Sequence, residues 1–357
     1  MTLFPQAESW IFEANIRASP AIGWAGWERR IRTRARSTVS VGLERTAASA
    51  THSQLPAPIR RCQHDRPAGS PVGEPSRRPR ARARPRRRRS VVRTRLGWVP
   101  ASRPRSGRPE LPRIDVTVPA PDGTCPATLH LPEGDGPWPG VVLFPDAGGV
   151  RETFRGMADR LAGTGYATLL PDVYYRAGQW APFDPATVFG DPPERARLGA
   201  LAGELTRQRI VADSAAYLDF LLARPEVTGA AVGTTGYCMG GKTSLIVAAA
   251  HPQRVAAAAS FHGGGIAVAD DPDSPHRAAE RIEAAVYVAG AVEDRAFTED
   301  QAELLRTALT DAGVEHTVEF YPAHHGFAVA DNPTYDADAA QRHWTALEEL
   351  YRARLRH

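Results

Sequence analysis

After residue 110 the hydrophobic and polar positions of the chain fall into a regular pattern that continues to the C-terminus. Residues 114–118 and 127–131 alternate between apolar and polar side chains, and the turn sequence Pro121-Asp-Gly123 lies between them. This arrangement predicts a β-hairpin with one buried face. Before this point neither a helical nor an alternating period is sustained. We therefore predict that the folded domain comprises residues 111–357.

Beyond the hairpin, short apolar runs alternate with longer stretches that carry apolar residues at helical spacing. The predicted strands are 140–144, 166–170, an approach to Gly236 that begins at Val232, 254–261, 284–290 and 314–321; the predicted helices are 151–164, 194–224 in two pieces around Gly203, 243–250, 299–312 and 337–354. Strands that are apolar throughout are buried on both faces. This order predicts an α/β domain with a mostly parallel central sheet and helices on both faces.

The sequence Gly236-x-Cys238-x-Gly240-Gly241 lies between a predicted strand and a predicted helix. This layout is typical of a nucleophile elbow, a tight turn that raises one reactive side chain above a sheet. The glycines are needed because strand and helix would collide with any Cβ atom placed there. A thiol at the start of a helix has its thiolate stabilised by the helix dipole. The alternative is that Cys238 is a small buried residue in an ordinary β–α turn.

An acidic residue and a histidine follow in the chain order that hydrolase triads of this kind use, which is nucleophile, acid, histidine. Glu293 and Asp294 leave the end of one predicted strand, and His324 and His325 leave the end of the next. From the residues alone, both members of each pair qualify as the acid or the base.

Four motifs together resemble one family: Gly236-Tyr-Cys238-Met-Gly-Gly, Leu170-Pro-Asp172-Val-Tyr174, Gly290-x-x-x-Asp294 and Ala323-His-His325-Gly-Phe-Ala328. The chain resembles the dienelactone hydrolases, cysteine hydrolases of the α/β-hydrolase fold, over residues 114–351. The resemblance implies that Cys238 is the nucleophile, that Asp294 is the acid and that His325 is the base. It implies an ester or lactone substrate and neither a cofactor nor a metal.

The resemblance also assigns roles in the loop that follows the first buried strand. The backbone N–H groups of Ala147 and of Met239, the residue after the nucleophile, would form the oxyanion hole. Asp146 stands where the family usually carries a glutamate that contacts the resting thiol and governs its activation. An aspartate before two glycines is equally typical of a turn, so two interpretations of Asp146 stand side by side.

Arg176 is a candidate for contacting the substrate, and a solvated loop arginine is the alternative. Enzymes that gave the family its name hold a lactone carboxylate with arginines, one of them shortly after the catalytic histidine. No arginine occurs among residues 327–331, which argues against dienelactone itself as the substrate. The sequence Phe261-His262-Gly-Gly-Gly265 is similar to a lipase oxyanion motif, but it follows the elbow. We therefore interpret it as part of the pocket floor.

The N-terminal segment, residues 1–110, has a different composition from the rest. It contains 24 arginines against 7 acidic residues, whereas the remainder carries a formal charge of −13. Such a composition buries too little apolar surface to offset chain entropy, so we expect disorder. The chain has one lysine against 43 arginines, which is typical of strong G and C codon bias. We therefore expect a start site assigned too far upstream, with the true start near Leu111.

The remaining features narrow the function. We find no secretory signal, no apolar window of membrane-spanning length and no disulfide or metal spacing among the three cysteines, which favours a cytoplasmic protein. The predicted function is hydrolysis of a small ester or lactone, with no membrane or nucleic-acid partner expected and the oligomeric state left open. Two alternatives remain: a nucleic-acid-binding protein that acts through its arginines, and a catalytically silent hydrolase-fold protein. The spacing of the triad argues against the second.

Overall fold

An eight-stranded sheet is the centre of the part of the chain that the structure, a computed structural model, describes: residues 111–356. The strands are β1 (Arg113–Ala120), β2 (Gly123–His130), β3 (Trp138–Phe144), β4 (Ala167–Pro171), β5 (Val227–Tyr237), β6 (Val255–Phe261), β7 (Ala285–Glu293) and β8 (His316–His324). Their order in the sheet is β1-β2-β4-β3-β5-β6-β7-β8. The hairpin β1–β2 pairs antiparallel with β4, and all pairs from β4 to β8 are parallel. The predictions for the N-terminal segment lie outside the described residues.

Helices follow the parallel strands, as the sequence pattern predicts. They are α1 (Glu152–Gly163), α2 (Pro192–Gly203), α3 (Arg207–Leu222), α4 (Met239–Ala250), α5 (Glu299–Asp311) and α6 (Ala337–Leu355). The predicted break near Gly203 is confirmed, because α2 ends there and the Thr206 side chain caps the start of α3 by accepting from the Arg209 N–H. Short 3₁₀ turns at Tyr175–Ala177, Pro252–Arg254 and Pro275–Arg281 complete the described elements.

The two faces of the sheet carry separate apolar cores. On one face, side chains such as Leu143 and Tyr237 pack against Phe154 of α1 and Tyr351 of α6. On the other face, side chains such as Leu129 and Val288 pack with α3, α4 and α5. Burying one large apolar side chain contributes about 1.5–3 kcal/mol. These two layers therefore hold the strands, and the loops at their ends, in fixed positions.

The strand register brings several loops to one edge of the sheet. Phe144 pairs with Gly236, and Tyr237 pairs with Phe261, at the carboxyl ends of β3, β5 and β6. Glu293 pairs with His324 at the ends of β7 and β8. Both of these last strands run three residues beyond their predicted ends, at 290 and 321. In open α/β sheets, ligands bind at this carboxyl edge.

A buried histidine on α6 makes the folded state sensitive to acid. His343 is fully buried, and its Nδ1 donates to the Ala340 carbonyl, 2.5 Å away, while its Nε2 accepts from the Tyr237 hydroxyl, 3.2 Å away. Burial lowers the pKa of His343 to about 3. The folded state therefore keeps this ring neutral at pH values where the unfolded chain binds a proton.

We expect the free energy of unfolding to fall as the pH drops from about 6.5 towards 3, because only the unfolded state takes up the His343 proton. One proton contributes a slope of about 1.4 kcal/mol per pH unit. His343→Phe should be less stable at neutral pH, since two hydrogen bonds are lost, but its stability should depend less steeply on pH. Urea unfolding at a series of pH values measures both slopes. Equal slopes in the two proteins would contradict this prediction.

Candidate active site

Cys238 occupies the turn between β5 and α4 in a strained backbone conformation. Its φ is +54° and its ψ is −117°, a region that costs non-glycine residues energy. A Cβ atom on Gly236 would lie 1.9 Å from the Gly240 carbonyl oxygen, and one on Gly240 would lie 2.3 Å from that of Phe144. The Cys238 N–H donates to the Phe261 carbonyl at 3.1 Å, which ties the turn to β6. The turn thus has the tight geometry that its glycines predict.

His325 and Asp294 are the first residues beyond β8 and β7, and their side chains meet inside the protein. His325 Nδ1 lies 2.7 Å from Asp294 Oδ2, and the carboxylate side chain is fully buried. Asp294 Oδ1 accepts the Ala296 N–H at 2.7 Å, which fixes the carboxylate. The Cys238 side chain lies close enough to the His325 ring to interact with it electrostatically. Because a carboxylate accepts only, the proton of the neutral ring lies on Nδ1 and Nε2 remains free for the thiol.

The electrostatic surroundings of His325 favour its charged form. Burial by itself lowers the pKa of His325, but the negative charges of Cys238 and Asp294, together with their hydrogen bonds, outweigh it. The net result is a pKa of His325 well above its ordinary value. A protonated imidazole is therefore stable beside the sulfur atom.

The neighbouring pair, Glu293 and His324, lies on the outside. Their side chains are 69% and 54% exposed, and His324 Nδ1 lies 3.4 Å from Glu293 Oε2. Adjacent residues in an extended backbone point in opposite directions, so the residue that follows each of these at the strand end, Asp294 and His325, turns inward. The structure thus brings Asp294 together with His325 near Cys238 and places the other acid and histidine at the surface.

Ala147 lies in the loop that follows β3, and Met239 is the first residue of α4, directly after Cys238. The Asp146 carbonyl accepts the Gly149 N–H at 2.9 Å. In a trans peptide the C=O and the following N–H point in opposite directions, so the Ala147 N–H points away from Gly149. Within residues 111–356 no group accepts a hydrogen bond from the Ala147 N–H, although Ala147 is buried. A buried donor without an acceptor is available to a negatively charged oxygen.

An apolar wall covers this part of the site, and residues 179–201 supply it. Its side chains pack against Ala147 and Met239; they are Trp180, Phe183, Val188, Phe189, Leu198 and Leu201. The Trp180 indole donates to Asp172 at 2.9 Å, and its ring meets Tyr174 edge-on at 5.3 Å. The Tyr174 hydroxyl in turn donates to the Ala147 carbonyl at 2.8 Å. The 179–201 segment therefore forms an apolar surface against Ala147 and Met239, next to the turn that carries Cys238.

The two remaining candidates of the sequence analysis have partners of their own. Asp146 Oδ1 accepts the Gly148 N–H at 2.9 Å, as in the turn interpretation, and the carboxylate also binds the Arg151 guanidinium. Arg176 donates to Asp122 at 2.7 Å and to Asp213 at 2.6 and 2.7 Å. These carboxylates bind the Arg176 guanidinium, and a contact of Arg176 with a substrate stays a prediction.

His262 is a site neighbour that sequence reasoning missed, since its motif was interpreted only as pocket floor. Its φ is +40° and it is 1% exposed. Its ring lies edge-on to the His325 ring, with 5.0 Å between centroids, and neither ring nitrogen has a hydrogen-bond partner among the described residues. Burial, with the adjacent His325 charge, lowers the pKa of His262 well below its ordinary value. An uncharged ring therefore packs against His325.

We expect His262→Phe to keep most of the turnover, because a phenyl ring fills the same space and the lost nitrogens bind no described group. His262→Ala should lower kcat by about tenfold, since the His325 ring gains freedom to leave its reactive orientation. Steady-state kinetics on a small ester compares the two variants. If His262→Phe is as impaired as His262→Ala, the ring nitrogens and not the packing are what matter.

Two features are absent from residues 111–356. In this range no group of three or more histidines, cysteines, aspartates or glutamates is placed to hold a metal ion. None of its helices has the length and apolar character needed to cross a membrane.

Comparison with known proteins places the chain in a family. A carboxymethylenebutenolidase of Rhodococcus opacus is 29% identical over 236 residues, which is 64% of this chain and 87% of that protein. A protein of Synechocystis sp., provisionally named a carboxymethylenebutenolidase, is 28% identical over 68% of this chain and 96% of its own length. The crystal structure of a dienelactone hydrolase-like promiscuous phosphotriesterase from metagenomic libraries matches with a TM-score of 0.55 and 29% identity, over 68% of this chain and 98% of that one.

A protein of Klebsiella pneumoniae that is provisionally named a dienelactone hydrolase, 24% identical, has the same fold, with a TM-score of 0.58 over 68% of this chain and 98% of that one. The model of the dienelactone hydrolase family matches residues 125–355, which include the turn at Cys238, the ends of β7 and β8 and the 179–201 segment. The chain therefore belongs to the dienelactone hydrolase family, and it is an α/β-hydrolase that acts on ester or lactone substrates.

Proposed function

We propose that this hydrolase cleaves its ester or lactone through an acyl-cysteine intermediate, with Cys238 as nucleophile, His325 as base and Asp294 as the acid that orients the base. The observation that carries the proposal is the contact of His325 with the buried Asp294 carboxylate at 2.7 Å, with the Cys238 side chain near enough to interact electrostatically with the same ring. A nucleophile, a base within hydrogen-bond reach and a group that orients the base are the components of nucleophilic catalysis.

The first half of the reaction forms the acyl-enzyme. The thiolate of Cys238 attacks the carbonyl carbon, and the thiol proton resides on His325. The carbonyl oxygen becomes an oxyanion, which accepts hydrogen bonds from the Ala147 and Met239 N–H groups. One such donor lowers the barrier by about 2.7–4 kcal/mol. As the tetrahedral intermediate collapses, the C–O bond breaks and His325 gives its proton to the departing alcohol oxygen.

The second half releases the acid. His325 takes a proton from a water molecule, whose oxygen attacks the thioester carbon of the acyl-cysteine. The second tetrahedral intermediate collapses, the C–S bond breaks and the Cys238 thiolate is regenerated. From an ester the products are an acid and an alcohol, and from a lactone they are joined in one hydroxy acid. Asp294 stabilises the imidazolium in both halves and keeps its proton-accepting nitrogen directed at the reacting atoms.

The surroundings of the triad support both the chemistry and a class of substrate. The raised pKa of His325 favours a proton on the ring, which the ring can then give to the departing alcohol oxygen. The apolar wall of residues 179–201 favours an apolar acyl or alcohol group over a charged one. A catalytically silent protein would have no need for a strained cysteine beside a charged histidine.

We expect Cys238→Ala to abolish hydrolysis of p-nitrophenyl acetate, because the proposed acyl intermediate forms on the Cys238 sulfur. Cys238→Ser should keep only weak activity, since a hydroxyl is far harder to ionise in the same position. Cys125→Ala is the matched control: Cys125 is buried, and desolvation raises its pKa to about 12. Iodoacetamide should accordingly label Cys238 before Cys125. Equal turnover in the wild type and Cys238→Ala would exclude the mechanism.

We expect His325→Ala to lose turnover by about 10²- to 10⁴-fold, the contribution of a general base. His324→Ala should retain the wild-type rate, because the His324 side chain lies at the surface beside Glu293. The same ester assay measures both. A large loss in His324→Ala with a small loss in His325→Ala would reverse the assignment of the base.

A further inference from the structure

We propose that Arg151 is a positioning residue that locks two loops of the site together: the 145–149 loop, which holds the Ala147 N–H, and the 325–336 loop, which begins with His325. This inference rests on the proposed function, because it concerns how the oxyanion donor and the base are held in register. It assigns to Arg151 a role in turnover and not only in folding.

All five N–H bonds of the Arg151 guanidinium have acceptors. Nη1 and Nη2 donate to the two oxygens of Asp146 at 2.7 and 2.9 Å. Nε and Nη2 donate to the two oxygens of Asp331 at 2.7 and 2.9 Å. Nη1 also donates to the Gly149 carbonyl at 3.2 Å. Paired hydrogen bonds to a carboxylate fix the direction as well as the distance, which a lysine ammonium does not do.

The sheet itself links these loops only indirectly. The 145–149 loop follows β3 and the 325–336 loop follows β8, and β5, β6 and β7 lie between those strands. Arg151 and Asp331 are 180 residues apart in sequence. Their ion pair therefore directly joins two loops whose strands are not neighbours in the sheet.

Arg151 and Asp331 are held in place by burial and by further contacts. Arg151 is buried, its guanidinium carbon lies 4.8 Å from the centre of the Phe154 ring, and Asp331 also accepts the Thr153 hydroxyl at 2.6 Å. Removing charges from water costs free energy that a buried ion pair recovers only partly, so such pairs add little net stability. Their best-attested use is to specify one arrangement among several.

The arrangement that Arg151 specifies includes the proposed oxyanion donor. The Asp146 carbonyl and the Ala147 N–H belong to one peptide unit, so holding the Asp146 side chain restrains the direction of that N–H. An oxyanion forms only in the transition state. Losing the restraint should therefore lower kcat and kcat/KM together and leave KM nearly unchanged.

Arg151→Ala in the full-length protein tests this, with p-nitrophenyl acetate as substrate. We expect kcat to fall by about 10²-fold, close to the effect of losing one oxyanion donor, while KM changes by less than about threefold. Guanidinium chloride at sub-denaturing concentration should restore part of kcat, whereas the same concentration of sodium chloride should not. Arg113→Ala is the matched control, because Arg113 also joins two carboxylates, Asp159 and Glu152, at the surface.

An unchanged kcat in folded Arg151→Ala, or an equal loss in Arg113→Ala, would overturn the proposal. If Arg151→Ala does not fold, Asp331→Asn serves instead, since it weakens only the connection to the 325–336 loop. A loss of kcat in Asp331→Asn at constant KM supports the positioning role of Arg151, and unchanged kinetics refute it. Failure of the proposed function is recognised by a different result: Cys238→Ala would hydrolyse the ester as fast as the wild type does.

Discussion

The contact between the start of α4 and the ends of β3 and β5 determines where everything else in the site can lie. At Gly236 and Gly240 the backbones are so close that a Cβ atom has no room. The same crowding holds Cys238 in a left-handed conformation, which costs about 1–3 kcal/mol in such a residue. Apolar packing offsets this cost, because α4 is buried along most of its length. The sulfur atom is thus carried by rigid elements and its place does not depend on a loop.

Around this fixed point the structure arranges charges that are individually unfavourable. Asp294 is fully buried, and it is tolerated because His325 and a backbone N–H satisfy its oxygens. His262 is kept neutral beside His325, so it adds no second positive charge to the site. Arg151 is surrounded by carboxylates and has no unpaired donor. Asp294 and His325 are thus held by partners inside the protein, which fixes the direction of the His325 ring.

Much of this could be predicted from residue patterns, and the remainder could not for definite reasons. Glycine spacing indicates the elbow, and apolar runs indicate the strands, because both depend on local sterics and burial. The choice between Glu293 and Asp294 depends on strand parity, and β7 and β8 extend three residues beyond their apolar runs. The contacts of Arg151 with Asp331 and of His262 with His325 join distant parts of the chain, and no local period encodes them. For residues 1–110 the sequence interpretation stands as a prediction.

The 179–201 segment affects how the substrate range of this enzyme could change during evolution. Residues 179–201 form one contiguous stretch between β4 and β5, and they contribute no strand to the sheet. They nevertheless supply the apolar surface that packs against Ala147 and Met239, the two proposed oxyanion donors. Substitutions or length changes in this stretch can therefore alter which acyl and alcohol groups are accepted without disturbing the nucleophile. Substrate range and chemical mechanism are encoded in separable parts of the chain, so selection can act on one while the other is preserved.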